Sequence, residues 1–179
     1  AFGMMSPANL AEFCKDWTKL RADWPSLTKA QRQERLKELM DKSLGRTGTP
    51  PLKSLSDTAA AGANGSYGQT GHEVRVPKGL FEKNDLPGKL GSTLAHEARH
   101  AEQCYDNARY LAGRGLNAGQ IGSRMGCEKG LAEAAAKNPA ASDSPAGQLG
   151  RMRDEQKYGS GDTGRNYDKK VRDYQKDEY

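Results

Sequence analysis

The sequence predicts a mainly helical α+β domain in which a small β-hairpin or edge strand lies beside one long helix. Three observations predict it. Apolar residues recur at helical spacing over residues 6–23, 28–44 and 88–112. Only the stretch from His72 to Val76, in "GHEVRVP", reads convincingly as a strand. The third helical stretch contains "STLAHEARHAEQ", where His96, Glu97 and His100 spell the pattern HExxH.

Each element has a local reason. Ser6-Pro7 suits an N-cap followed by proline in the first turn, and Leu10, Phe13, Cys14, Trp17 and Leu20 form the stripe that follows, until Pro25 ends the helix. Thr28 caps a second helix with Leu36, Leu39, Met40 and Leu44 inward, and Gly45 stops it. Residues 46–70 are rich in Gly, Pro, Ser and Thr and read as a loop. The strand at His72–Val76 is interrupted by Pro77, with Tyr67 on a partner strand. The long helix over 88–112 puts Leu90, Leu94, Ala98 and Ala101 on its apolar side, and Gly113 and Gly115 end it. "LNAGQIGSRMGCEKGLAEAAAKNP" reads as two short helices broken near Gly126, "AASDSPAGQLG" as a linker, and 151–158 and 164–178 as charged helices.

The 179 residues suit a single domain, 1–179, made of an N-terminal helical segment (1–45), a loop with the edge strand (46–87) and a metal-binding helical part (88–179). At 35% hydrophobic and 28% charged, with 21 glycines, it is expected to be polar and loop-rich around a modest core. No run approaches the ~20 apolar residues of a membrane span. The chain opens on Ala1 and lacks the basic start and apolar run of a signal peptide, as expected of a piece of a longer polypeptide. The net charge of +5 is spread over positions such as Arg32, Arg35, Lys37, Arg151, Arg153, Lys169, Lys170 and Arg172 and interleaved with acids. That pattern reads as a solvated surface, not a nucleic-acid footprint. The two short helices faintly resemble a helix-turn-helix, but the second lacks basic residues at its start. The three cysteines, Cys14, Cys104 and Cys127, have no CxxC spacing; one bridge, such as Cys104 to Cys127, is the most they allow.

The chemistry rests on HExxH. Histidines at i and i+4 share a helix face, so His96 and His100 can bind one Zn2+, a metal that takes imidazole nitrogen in tetrahedral sites. Glu97 is rotated about 100° from His96. There its carboxylate reaches a water on the metal, whose pKa zinc lowers toward ~7, and acts as general base. A catalytic zinc needs a third protein ligand. Asp106 stands where the elongated pattern HExxHxxGxxH ends, but Gln103 replaces the turning glycine. A straight helix puts Asp106 roughly 15 Å beyond His96, too far to share the ion. Glu128, Glu133 and Glu155 remain as candidates, each otherwise an ordinary surface charge. Tyr158, one turn after Glu155, is placed to hydrogen-bond a developing oxyanion or simply to pack. His72, on the strand, lines a cleft or serves the fold.

"TLAHEARHAEQ", then "ARYLAGRGLNAGQIGSRMG" and "AEAAAKNP", resembles the zincin-like metallopeptidase domains at the ends of bacterial polymorphic toxins and secretion-system effectors of the Rhs type. The segment "FCKDWTKLRADWPSLTKAQRQERLKEL" fits the helices such domains carry ahead of the strand. The resemblance covers most of the chain loosely and residues 93–103 sharply. A late segment with Glu, Tyr-Gly and Arg maps to Glu155, Tyr158, Gly159 and Arg165, which favours Glu155 as third ligand. Cys104 stands where a tryptophan is usual and Lys157 where an aromatic residue is usual, departures that touch substrate shape more than metal binding.

The resemblance implies a zinc metallopeptidase that hydrolyses peptide or protein amide bonds after delivery into a rival or host cell. It implies a cognate immunity protein as partner, action in the target cytoplasm or periplasm, and a longer delivery polypeptide. Two other readings stand beside it: a peptidoglycan peptide hydrolase using the same site, and a non-catalytic helical interaction module in which HExxH is accidental.

Overall fold

The structure, a computed structural model, describes residues 3–159. The helical stretch expected over 164–178, and Arg165 with it, lies outside the described residues. The chain divides into two compact units. One is Gly3–Ala101; the other, among the described residues, is 102–159.

In the first unit, α1 (Pro7–Asp23) and α2 (Lys29–Gly45) form where the capping chemistry places them. Ser6 accepts from the Asn9 N–H, and Thr28 exchanges hydrogen bonds with Gln31 in a complete capping box. Phe13, Trp17 and Leu20 of α1 and Leu36, Leu39, Met40 and Leu44 of α2 are buried as expected. Cys14, expected on the α1 stripe, is exposed. It follows Phe13 by one residue, so the helix turns it away from the core by about 100°.

Three short strands follow: β1 (Ser54–Ser56), β2 (Ser66–Gly68) and β3 (Glu73–Arg75). The sheet order is β1-β3-β2, with β1 parallel and β2 antiparallel to β3. Two expectations change here. The strand expected at an edge is the central one, and β1 lies within what reads as loop. A three-residue strand shows almost no alternation; here Leu55 alone is buried. The β2–β3 hairpin, with Tyr67 opposite Val74, matches the expected partner strand.

The helix α3 (Leu90–Gly113) begins in this unit. Leu90, Leu94, Ala98 and Ala101 are buried, as their spacing predicts. Its start is crowded: a Cβ on Gly91 would lie 2.7 Å from Nε1 of Trp17, so only glycine lets α1 and α3 close on one another.

Arg32 corrects the reading of the basic residues as a solvated surface. It is 5% exposed. Its guanidinium donates to the carbonyls of Trp24 (3.1 Å) and Phe81 (2.9 Å) and to Oδ1 of Asn84 (3.2 Å), and lies over the Trp24 ring. The rigid fork of an arginine can close three such bonds at once.

The second unit holds the rest of α3 with α4 (Ala118–Met125), α5 (Lys129–Lys137) and α6 (Pro145–Tyr158). The break between α4 and α5 falls at Gly126, as expected, in left-handed conformation (φ 62°). Residues 145–150, expected as linker, are helical: Ser144 caps α6 and Pro145 opens it. The two glycines that suggest a loop are instead sites of close approach. A Cβ on Gly150 would lie 2.2 Å from the carbonyl oxygen of Asp106 on α3. The three cysteines are free. No helix among the described residues is long and apolar enough to cross a membrane.

Arg32→Ala leaves the Phe81 carbonyl without its donor, while the Trp24 carbonyl keeps the Leu27 N–H. With the lost packing on the Trp24 ring it is expected to cost about 3 kcal/mol, read as a lowered urea midpoint. Arg32→Lys should recover less than half of that, because an ammonium cannot span the three acceptors. Full recovery by lysine would show that charge alone matters there.

Candidate functional site

The helix period decides how the HExxH residues are presented. With Leu94 and Ala98 turned into the core, His96 is exposed, His100 half-buried and Glu97 only 8% exposed. The two imidazoles lie edge to face with ring centroids 4.4 Å apart, and their Nε2 atoms approach to 2.9 Å. One Nε2 donates to the other in this arrangement. Two imidazole nitrogens on one tetrahedral zinc, with bonds of 2.0–2.1 Å, stand roughly 3.3 Å apart. The Nε2 separation is thus within a few tenths of an ångström of that of two imidazoles sharing a zinc, and imidazole nitrogen is a donor that suits zinc.

Glu97 faces the sheet. The Tyr67 backbone N–H, on the outer edge of β2, donates to its carboxylate. Burial raises the Glu97 pKa above the ordinary carboxylate value; the neighbouring His96 and the Tyr67 hydrogen bond oppose that and only partly offset it. A carboxylate made more basic by desolvation is a better proton acceptor. The approach of β2 to α3 depends on Gly65, where a Cβ would meet Cγ2 of Thr93 at 3.2 Å and Cγ of Glu97 at 3.9 Å. Neither Gly65 nor the Tyr67 amide carries a sequence signal, because both act through the backbone.

His72 serves the hairpin. It is 1% exposed, in left-handed conformation (φ 45°), with both ring nitrogens engaged. Nε2 lies 2.9 Å from the Pro50 carbonyl and Nδ1 2.8 Å from the Tyr67 hydroxyl. A carbonyl can only accept, so Nε2 carries the proton and Nδ1 accepts from Tyr67. His72 thus holds Tyr67, whose amide holds Glu97.

The remaining candidates lie in the second unit. Glu155, on α6, is exposed, with Oε1 3.8 Å from Nε of Arg151. Glu133 is exposed, 3.8 Å from Nζ of Lys129. Glu128 is the N-cap of α5: one carboxylate oxygen accepts from the Gly130 N–H and the other from Leu131, both at 2.8 Å. An acid at that position also disfavours DNA at the start of α5, in line with the weak helix-turn-helix reading. The Tyr158 hydroxyl donates to the Met125 carbonyl at 3.2 Å, and its ring lies under Arg124, which grips Asp154 through two bonds of 2.9 and 2.6 Å. Tyr158 therefore has a packing role in the second unit. Among the described residues no group of three or more His, Cys, Asp or Glu side chains is gathered that could hold a metal.

Asp106 is buried rather than presented to a metal. Burial raises its pKa well above the ordinary value of 3.8, the neighbouring Glu102 raises it further, and Arg109 pulls it back in part. Set against known protein families, characterised proteins and solved structures, the chain matches none.

The raised Asp106 pKa has a definite sign. Between the unfolded and folded values the folded chain binds the extra proton, so stability falls as pH rises through the folded value. Asp106→Asn removes that loss. Its melting temperature should equal the parent's near about pH 3 and exceed it by several degrees near about pH 8, by calorimetry across the range. A difference independent of pH would show that the carboxyl is not held neutral.

Proposed function

We propose that the chain is a zinc-dependent metallopeptidase of zincin-like type, hydrolysing amide bonds of a peptide or protein. The observation that carries this is the convergence of the His96 and His100 Nε2 atoms at 2.9 Å on the open side of α3, with the Glu97 carboxylate sheltered beside them. His96 and His100 would hold the metal, with Glu155 as the proposed third ligand. Zinc bound there supplies a Lewis acid that polarises the scissile carbonyl and makes water nucleophilic near neutral pH.

The chain's own residues do the rest. Glu97 takes a proton from the attacking water at its carboxylate and returns it to the leaving amine nitrogen. The Tyr67 amide fixes the carboxylate, so its orientation is set before substrate arrives. Tyr158 as oxyanion donor would have to exchange its bond to the Met125 carbonyl for one to substrate. Glu155 and Tyr158 rest on the resemblance and on their one-turn spacing along α6. The same resemblance supports a delivered antagonistic toxin with an immunity protein as partner.

Metal content by mass spectrometry on purified protein is the primary test. The expected result is about one zinc per chain, lost in His100→Ala. Glu97→Gln should keep the zinc and lower peptide hydrolysis by about a thousandfold or more. Zinc retained in Glu155→Ala would move the third ligand to another residue. A protein that takes up no zinc on reconstitution would leave the non-catalytic helical module as the better reading.

A further inference from the structure

One turn before Glu97, on the same face of α3, Thr93 lines a pocket of about 340 Å³. Its other lining residues are Asn64, Pro77, Leu80, Lys83, Pro87, Lys89 and Leu90, all from the first unit. The volume is at the low end for small-ligand sites, enough for one or two side chains. Leu80 and Leu90 are buried and make its apolar floor, while Lys83 and Lys89 are exposed at the rim. Pro77 and Pro87 stiffen the backbone on two sides.

The charge of this pocket is one-sided. No acid lines it, and neither rim ammonium makes an ion pair among the described residues. Glu82, the acid next to Lys83 in the chain, is taken by Lys29 at 2.8 Å. The distance to the HExxH residues also has meaning. Thr93 and Glu97 are four residues apart, about 6 Å along the helix. Two residues of an extended peptide span about 6.6 Å, and side chains two apart point the same way. A peptide with its scissile bond at Glu97 thus brings a side chain two residues away to the mouth of this pocket.

We infer that this pocket selects the substrate: it receives an acidic side chain of the polypeptide, with a neighbouring apolar group on Leu80 and Leu90 and its carboxylate between Lys83 and Lys89. This rests on the metallopeptidase reading for the position of the scissile bond, but the pocket's preference is measurable without cleavage. Both lysines are exposed, so charge reversal there leaves the core intact.

The test uses zinc-reconstituted Glu97→Gln protein and two fluorescein-labelled, capped alanine peptides, one carrying glutamate two residues from a leucine and the other lysine two residues from a leucine. Fluorescence anisotropy should give a Kd about tenfold tighter for the glutamate peptide, and adding Lys83→Glu with Lys89→Glu should reverse the preference. Equal affinity for the two peptides overturns the inference, and so does a preference that survives the double reversal. Lys83→Ala with Lys89→Ala, which should abolish the preference without reversing it, serves if the double reversal does not fold. In the active protein, sequencing the products of a randomised octapeptide pool should show acidic residues enriched within two positions of the cut. Cleavage without that enrichment overturns the inference and leaves the hydrolase. Selective binding with no cleavage by the zinc-loaded protein keeps the pocket as a peptide site and removes the hydrolase.

Discussion

The first unit is organised by one constraint on α3: its apolar stripe must be buried to the end of the HExxH segment. Leu94, Ala98 and Ala101 are fully buried, and Ala95 nearly so. Three of these four are alanines, so the helix axis can come close to its neighbours. Once that stripe faces inward, 100° per residue leaves no freedom for the rest. Glu97 falls at the margin of the core, where water is scarce, and His96 falls in solvent. The difference in environment between adjacent residues is what separates a desolvated carboxylate from a solvent-exposed imidazole.

The margin is built by backbone as much as by side chain. Gly65 lets β2 approach the helix, and the Tyr67 amide, turned away from β3, meets the Glu97 carboxylate. Tyr67 is held in turn by its hydroxyl on His72, and His72 by the Pro50 carbonyl. The series of contacts runs from a loop before β1 to the carboxylate on α3. It gives the buried His72 a task at one remove from Glu97. It also explains its left-handed backbone: the turn from β2 into β3 must aim the ring back under Tyr67.

The second unit shows how acids of one type come to differ. Asp154 is buried and gripped by Arg124, Glu128 spends both oxygens on the start of α5, and Glu133 and Glu155 lie in solvent near single cations. Burial with a partner fixes a carboxylate in one place. Exposure beside a cation at 3.8 Å contributes little and leaves the side chain free to be used elsewhere. On that ground Glu155 is a better ligand candidate than Glu128, which would have to uncap a helix.

The long helices were determined by the sequence alone. Ser6-Pro7, Thr28 with Gln31, and the apolar spacing of α1, α2 and α3 are local signals, read over a few residues, and the helices stand where those signals put them. The pairing of His96 with His100 was legible for the same reason, since four residues on a helix is a local distance. Tertiary structure alone decided what depends on distant partners. Of the glycines in 145–150, Gly150 gives α3 the bare backbone it needs, and Gly147 does the same for the Ala141 carbonyl. Strand β1 exists because β3 offers it an edge. Arg32 is held inside by partners far apart in the chain, the carbonyls of Trp24 and Phe81. Glu97 owes its basicity to burial and its aim to an amide thirty residues earlier. Periodicity encodes which face of a helix is buried; what covers that face is set by contacts that no single stretch of sequence contains.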